Sequence, residues 1–307
     1  MFKYIDYSTW NLYDGFSEGS GRSEKNWLQS EEGTIGLFKY PKIDPASNTT
    51  TYEHVSEHIA HQLGNILGVK TAKVELGTYC GREGSMSYLV NGENEELREG
   101  VWFILGKYPQ YNPDSMIDMA SGEYYSIKQL FGIATDESLR QFLIEMMFFD
   151  FVLGNTDRHQ NNWAFLVPIE DSYKEITTIR PCPLYDNGSS LCCYINDLQL
   201  DNYLGNDMTR FRALVDSKSR SIIRIDGNRK SRPCHTDVIR FLMDSATEMS
   251  CDIADRFIDS LTEEKIKTLI DKYPKEIISE KRKLLLIKYL NGKMSILKSI
   301  RLENGYG

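Results

Sequence analysis

The chain has 307 residues, 41% of them hydrophobic and 26% charged, a composition that argues against long disorder. Its 36 Lys and Arg against 44 Asp and Glu give a formal charge of −8, so no global basic field advertises a nucleic-acid or acidic-membrane partner. At roughly 100 to 200 residues per domain, the length suggests two domains or two lobes around one cleft.

The opening MFKYIDYSTWNLYDG lacks the basic-then-apolar build of a signal peptide. The most apolar run, FLIEMMFFDFVLG at 142–154, is broken by Glu145 and Asp150 and is too short to span a bilayer. We therefore expect a cytoplasmic protein with no membrane anchor, with non-classical export left open. Cys80, Cys182, Cys192, Cys193, Cys234 and Cys251 form no C-x-x-C pair, which fits reduced thiols and speaks against a cysteine zinc site.

Along the first hundred residues, Gly15, Gly19, Gly21, Gly33 and Gly36 cut the chain into hairpin-length pieces. TIGLFKY (34–40), TAKVELGTY (71–79) and SMSYLV (85–90) carry the β-branched and aromatic content of strands. Between them, Tyr52, Val55, Ile59, Leu63, Ile66 and Leu67 recur at helical spacing, after TTT at 49–51 and before Gly68, which predicts a helix packed on the sheet. Past residue 100 a loop-rich stretch, KYPQYNPDS, leads into a long helix with Leu139, Phe142, Leu143, Met146 and Leu153 on one face behind an Asp136 N-cap. WAFLVP (163–168) and CPLYD (182–186) read as short strands, residues 188–235 as irregular, and the last seventy residues as helices.

The stretch FVLGNTDRHQNNWAF (151–165) sets Asn155, Asp157, Arg158, His159, Asn161 and Asn162 between two apolar runs. So many hydrogen-bonding groups beside a core are costly unless a site uses them. Asp157 precedes Asn162 by five residues, and Asp186 follows after two strand-like segments. Phosphoryl transfer needs a carboxylate beside the acceptor hydroxyl and oxygen ligands for Mg²⁺, and protein kinases supply them in this order and at this spacing. Asn162 and Asp186 are then the metal ligands, since Mg²⁺ takes few protein oxygens and keeps waters. Lys39, an ammonium within the apolar strand GLFKY, calls for an anionic partner such as nucleotide phosphates. Upstream, EGSGRSEKNW offers small residues whose backbone N–H groups could cradle phosphates.

SGRSEK (20–25), GLFKYPK (36–42), SEHIAHQLGNILG (56–68), GNTDRHQNNWAF (154–165) and PLYDNG (183–188) together resemble the HipA-like serine/threonine-protein kinases, including their minimal CtkA-like members. The resemblance runs in order over roughly the first two-thirds of the chain. It implies an α+β, two-lobed kinase fold, with a small sheet-rich N-lobe over 1–100 and a larger helical C-lobe over 101–307, binding ATP and Mg²⁺ in the cleft. By the same resemblance Lys39 holds the α- and β-phosphates, with Ser20, Gly21, Arg22 and Ser23 in the phosphate loop. Glu57 pairs with Lys39, Asp157 orients the acceptor hydroxyl, and His159 shapes the catalytic loop together with Arg158. Helix periodicity leaves Glu53 as the alternative to Glu57. Autophosphorylation at Ser17, Ser20 or Ser23 belongs to the same expectation, as do a Ser/Thr protein substrate docking on residues 188–235 and the C-terminal helices, and adenine contacts near Tyr88 to Glu95. The short N-terminus and acidic balance remove the case for DNA binding and leave room for a small antitoxin-like or regulatory partner.

Three other readings stand beside this one. The Asp-Arg-His order also occurs in phosphoinositide kinases, so a lipid or small-molecule acceptor stays open. A kinase-like fold can serve as a binding module without catalysis. His54, Glu57 and His58 spell H-x-x-E-H, the inverted zinc-protease motif, although His54, His58 and His61 read more simply as the polar face of the helix.

Overall fold

The computed structural model describes residues 1–15, 24–45, 47–169 and 179–305. Ser17, Ser20, Gly21, Arg22 and Ser23 lie outside them. In chain order the first strands are Ile5–Asp6 (β1), Asn11–Leu12 (β2), Lys25–Gln29 (β3) and Ile35–Lys39 (β4), followed by the small ribbon Ile43–Asp44 (β5) and Thr49–Thr50 (β6). Glu53–Leu67 (α1) precedes the strands Val74–Tyr79 (β7) and Arg82–Tyr88 (β8). These strands form a six-stranded sheet in the order β1-β7-β8-β4-β3-β2, antiparallel except where β1 lies parallel to β7. In β4 the side chains alternate, so Phe38 enters a core of Tyr7, Leu28, Tyr40 and Met86 while Lys39 takes the other face.

The helix α1 ends as its sequence predicts, with Gly68 in the left-handed conformation (φ 70°) closing the last turn. Its apolar stripe is buried except for Tyr52 and Ile66, which are half-buried, and it packs on β7 and β8. The opposite face is not a polar surface. His54 and His58 are buried, covered by Tyr4, Phe2 and Tyr273, and His61 is half-buried beside Thr71. Residues from the start of the chain and from 215 positions further on supply that cover, and helical periodicity carries no trace of it.

The chain continues through Glu95–Glu99 (β9), Gly100–Lys107 (α2), the ribbon Tyr111–Asn112 (β10) and Ile117–Asp118 (β11), Ile127–Ile133 (α3) and Glu137–Leu153 (α4). Asp136 caps α4 by accepting the N–H of Leu139 at 2.9 Å. Ala164–Pro168 (β12) pairs with both β9 and Arg180–Pro181 (β13) in a three-stranded antiparallel sheet. The strand expected over 182–186 thus begins and ends earlier, at 180–181, and 182–186 run on as irregular backbone apart from a bridge at Leu184. Within 188–235, read as irregular, lie a 3₁₀ turn at Asp197–Gln199, Asp201–Leu204 (α5) and Thr209–Val215 (α6). Helices His235–Ser245 (α7), Thr247–Ser260 (α8), Glu263–Asp271 (α9) and Glu280–Glu303 (α10) complete the chain, as expected.

Two compact units result, each discontinuous in sequence. One joins 1–90, 186–211 and 263–289, and contains the six-stranded sheet and α1. The other joins 91–185, 212–262 and 290–307, and contains the three-stranded sheet and α4 packed on α7 and α8.

Candidate active site

In the first unit, Lys39 at the end of β4 donates from Nζ to Asp186 Oδ1 at 2.8 Å, with Glu57 Oε2 at 3.9 Å. Burial alone would pull the ammonium's pKa down, but the Asp186 and Glu57 carboxylates outweigh it and hold the pKa well above the ordinary lysine value. Lys39 keeps 20% of its side chain exposed and Asp186 45%, while Glu57 keeps 3%. Glu57 also accepts the backbone N–H of Asn187 at 2.9 Å. It therefore ties α1 to β4 and to the segment that carries Asp186. Glu53, the alternative, is engaged elsewhere, by Lys42 Nζ at 2.9 Å, Thr51 at 3.0 Å and Tyr194 at 2.9 Å.

Asp186 has φ 56°, a left-handed conformation that Asp tolerates better than most residues. Gly188, two residues on, leaves little room for a side chain, since a Cβ there would stand 3.0 Å from Glu57 Oε2 and 3.2 Å from the Glu53 carbonyl.

In the second unit, Gly154 caps α4 in the left-handed conformation (φ 64°) and the polar loop turns back toward β12. Its anchor is Arg158, which is 1% exposed. The guanidinium binds the buried Asp150 carboxylate at 2.8 to 3.1 Å and donates through Nη1 to the carbonyls of Asn162 at 2.6 Å and Tyr185 at 2.9 Å. Burial raises the Asp150 pKa against the opposing pull of Arg158. Asn155 donates to Asp150 at 3.0 Å and accepts the N–H of Asp157 at 3.0 Å, and Asn162 Nδ2 donates to the Asp157 carbonyl at 2.8 Å. His159 Nδ1 accepts the N–H of Asn161 at 3.2 Å, which places its ring inside the same loop. Arg158 is thus the structural centre of the loop, with its charge spent on Asp150 and two carbonyls.

The expected residues fall into two groups: Lys39, Glu57 and Asp186 meet in one unit, and Asp157, Arg158, His159 and Asn162 share a loop in the other. Sequence reasoning gave Asp150 no role and named Asn155 only as a member of the polar run. A lone acid inside FFDFVLG was the available signal, because a buried carboxylate needs a cation and Arg158 stands eight residues on.

The H-x-x-E-H residues are committed to other partners. Tyr4 OH meets His54 Nε2 at 3.3 Å, Tyr273 OH meets His58 Nδ1 at 2.6 Å, and Glu57 serves Asn187 and Lys39. Among the described residues no three His, Cys, Asp or Glu side chains gather as a metal site.

No protein-family model matches the chain. The serine/threonine-protein kinase CtkA of Helicobacter pylori is 24% identical over 273 residues, which cover 86% of this chain and 77% of CtkA. The crystal structure of the H. pylori proinflammatory kinase CtkA superposes with a TM-score of 0.79 at 20% identity, covering 98% of this chain and 99% of that one. HipA of Shewanella oneidensis MR-1, solved with HipB and its operator DNA, matches with a TM-score of 0.52 at 15% identity, over 95% of this chain and 62% of that one.

Proposed function

From the resemblance to HipA-like kinases of the CtkA-like kind, which sequence and fold both bear out, we propose that this chain is an ATP- and Mg²⁺-dependent serine/threonine-protein kinase. The observation that carries the reading is Lys39 held between Glu57 and Asp186, an ammonium kept charged and kept in place. We keep the division into 1–100, with the phosphate loop, lysine strand and α1, and 101–307, with the catalytic loop and metal Asp, as the proposed order of functional parts.

The residues present fit the cofactors. Asn162 commits its amide nitrogen to the Asp157 carbonyl, so its amide oxygen is the donor it would offer a hard cation. Asp186 presents a half-exposed carboxylate, the other oxygen donor expected. Bound Mg²⁺ would supply charge neutralisation on the phosphate oxygens.

The chain's own residues would do the rest by positioning and electrostatics. Lys39 offers its ammonium to the α- and β-phosphates, and Glu57 limits its swing. Asp157, half-exposed and fixed through its backbone by Asn155 and Asn162, orients the acceptor hydroxyl and receives its proton. The hydroxyl oxygen bonds to the γ-phosphorus, and the bond to the bridging oxygen breaks with its electron pair leaving on ADP. Ser20, Gly21, Arg22 and Ser23 remain the proposed phosphate loop, with autophosphorylation there as part of the proposal. The acceptor is a protein Ser or Thr, and a small antitoxin-like or regulatory partner is proposed by analogy with the HipA–HipB assembly. We place the protein in the cytoplasm, where its six free thiols would stay reduced. No described helix is long and apolar enough to cross a membrane.

Transfer from γ-labelled ATP tests this directly. The parent should label itself or a generic protein acceptor, and Asp157→Asn and Asp186→Asn should each lower the rate by roughly 10²- to 10⁴-fold while keeping the parent's melting profile. A folded parent that neither binds nor turns over ATP with Mg²⁺ would sink the reading.

A further inference from the structure

A buried run of hydrogen bonds within the second unit ends on the loop that carries Asp157. Lys293, in α10, is fully buried and donates from Nζ to Ser219 Oγ at 2.8 Å. That oxygen lies 3.0 Å from Nδ1 of His235, the first residue of α7. The other ring nitrogen, Nε2, lies 2.9 Å from the carbonyl oxygen of Asn155.

The direction of every link follows from what its atoms can do. An ammonium has only protons to give and a carbonyl only lone pairs to offer. Nε2 must then carry the ring proton and Nδ1 must accept, so the Ser219 hydroxyl donates to His235 while accepting from Lys293. A backbone bond from His235 N to Ser219 O, 2.9 Å long, holds the same two residues together a second time. Burial, reinforced by the nearby Lys293 charge, pulls the His235 pKa down to about 3, so the ring is neutral and keeps this tautomer at neutral pH. Lys293 Nζ also sits 4.7 Å from the centroid of the Phe151 ring, one residue along α4 from Asp150.

We propose that His235, oriented by Lys293 through Ser219, is a positioning residue for Asp157. The carbonyl it grips belongs to Asn155, whose side chain reaches forward to the N–H of Asp157 and back to the carboxylate of Asp150. Releasing that carbonyl frees the peptide on which both of these bonds depend. The meaning of Asp157 rests on the kinase reading; the positioning itself does not.

His235→Gln keeps an N–H for the Asn155 carbonyl and an oxygen for the Ser219 hydroxyl, whereas His235→Leu keeps neither. Both are compared with the parent as full chains, by amide hydrogen exchange over 155–162 and by transfer from γ-labelled ATP. In His235→Leu, loop exchange should rise at least about tenfold and kcat should fall about 10- to 100-fold, with KM for ATP within about threefold of the parent. His235→Gln should recover most of both. Should His235→Leu fail to fold, Ser219→Ala, which removes the donor to Nδ1 together with the acceptor for Lys293, and Lys293→Met are read in the same way. Loop exchange at the parent's level in folded variants overturns the proposal. So does a loss of protection spread evenly through the unit, with Gln no better than Leu. If the parent transfers no phosphate, the kinase reading fails by itself, and exchange over 155–162 still decides whether His235 positions the loop.

Discussion

Lys39 owes its place to alternation along β4, since the residue before it must enter the aromatic core. Its chemistry comes from two carboxylates distant in sequence, Glu57 and Asp186. Lys39→Met should abolish transfer and take the ammonium away from Glu57, 3% exposed, while the Asn187 N–H stays bound to it. Because Lys39 and Asp186 are partly solvated, the stability loss should be small for a broken ion pair, about 1 to 2 kcal/mol, measurable by urea unfolding. An unchanged transfer rate would remove Lys39 from the site. At this scale the sequence was informative where a residue's type conflicts with its neighbours, as for Lys39 in GLFKY and Asp157 in its polar run. It was silent where the conflict is resolved by a distant group. Asp150 and Arg158 explain each other only once α4 and the loop fold together. His235 and Lys293 sit on separate helices and announce nothing locally.

Among the elements, α1 and α4 were legible because periodicity, an Asp cap and terminal glycines agree on their limits. The short helix α2 was missed because GVWFILGK is apolar almost throughout and shows no stripe. Its first residue nevertheless positions the loop. Gly100 N donates to the Trp163 carbonyl at 2.9 Å, and any Cβ at Gly100 would overlap the Trp163 indole. That ring is fully buried, with its N–H donating to Tyr125 OH at 2.7 Å, and it follows Asn162 directly. Gly100→Ala should therefore cost about 1 to 3 kcal/mol by overpacking and lower phosphate transfer by displacing Asn162. A melting temperature equal to the parent's would show that the indole has room to yield. The two-residue shift of β13 has a comparable cause, since its edge pairing with β12 is set by register across the sheet rather than by its own side chains.

For the whole molecule, the sequence conveyed the fold class, but not the return of 186–211 and 263–289 to the unit that holds the sheet. That return helps to bury His58. His58 meets Tyr273, and its pKa is pulled down to about 3, while burial takes His54 down to about 4 and His235, in the other unit, to about 3. Each depressed value means that the unfolded chain binds a proton near pH 6.5 that the folded chain refuses. Their contribution to stability is therefore complete above about pH 6.5 and is lost as pH falls toward the folded values, by up to about 1.4 kcal/mol per pH unit for each ring. Thermal melts at pH 7, 6 and 5 should show falling stability, and the fall should be shallower in His235→Gln. A profile that rises toward pH 5 would contradict the assignment.

The one-way order of the Lys293–Ser219–His235 run also bears on how such a protein can change over generations. Each member presents a proton or a lone pair that the next one receives, so a replacement that supplies neither takes a bond from its neighbour in the core. Such substitutions at the three positions should be strongly non-additive. A lineage would therefore exchange the trio as a block, as one inherited character rather than three.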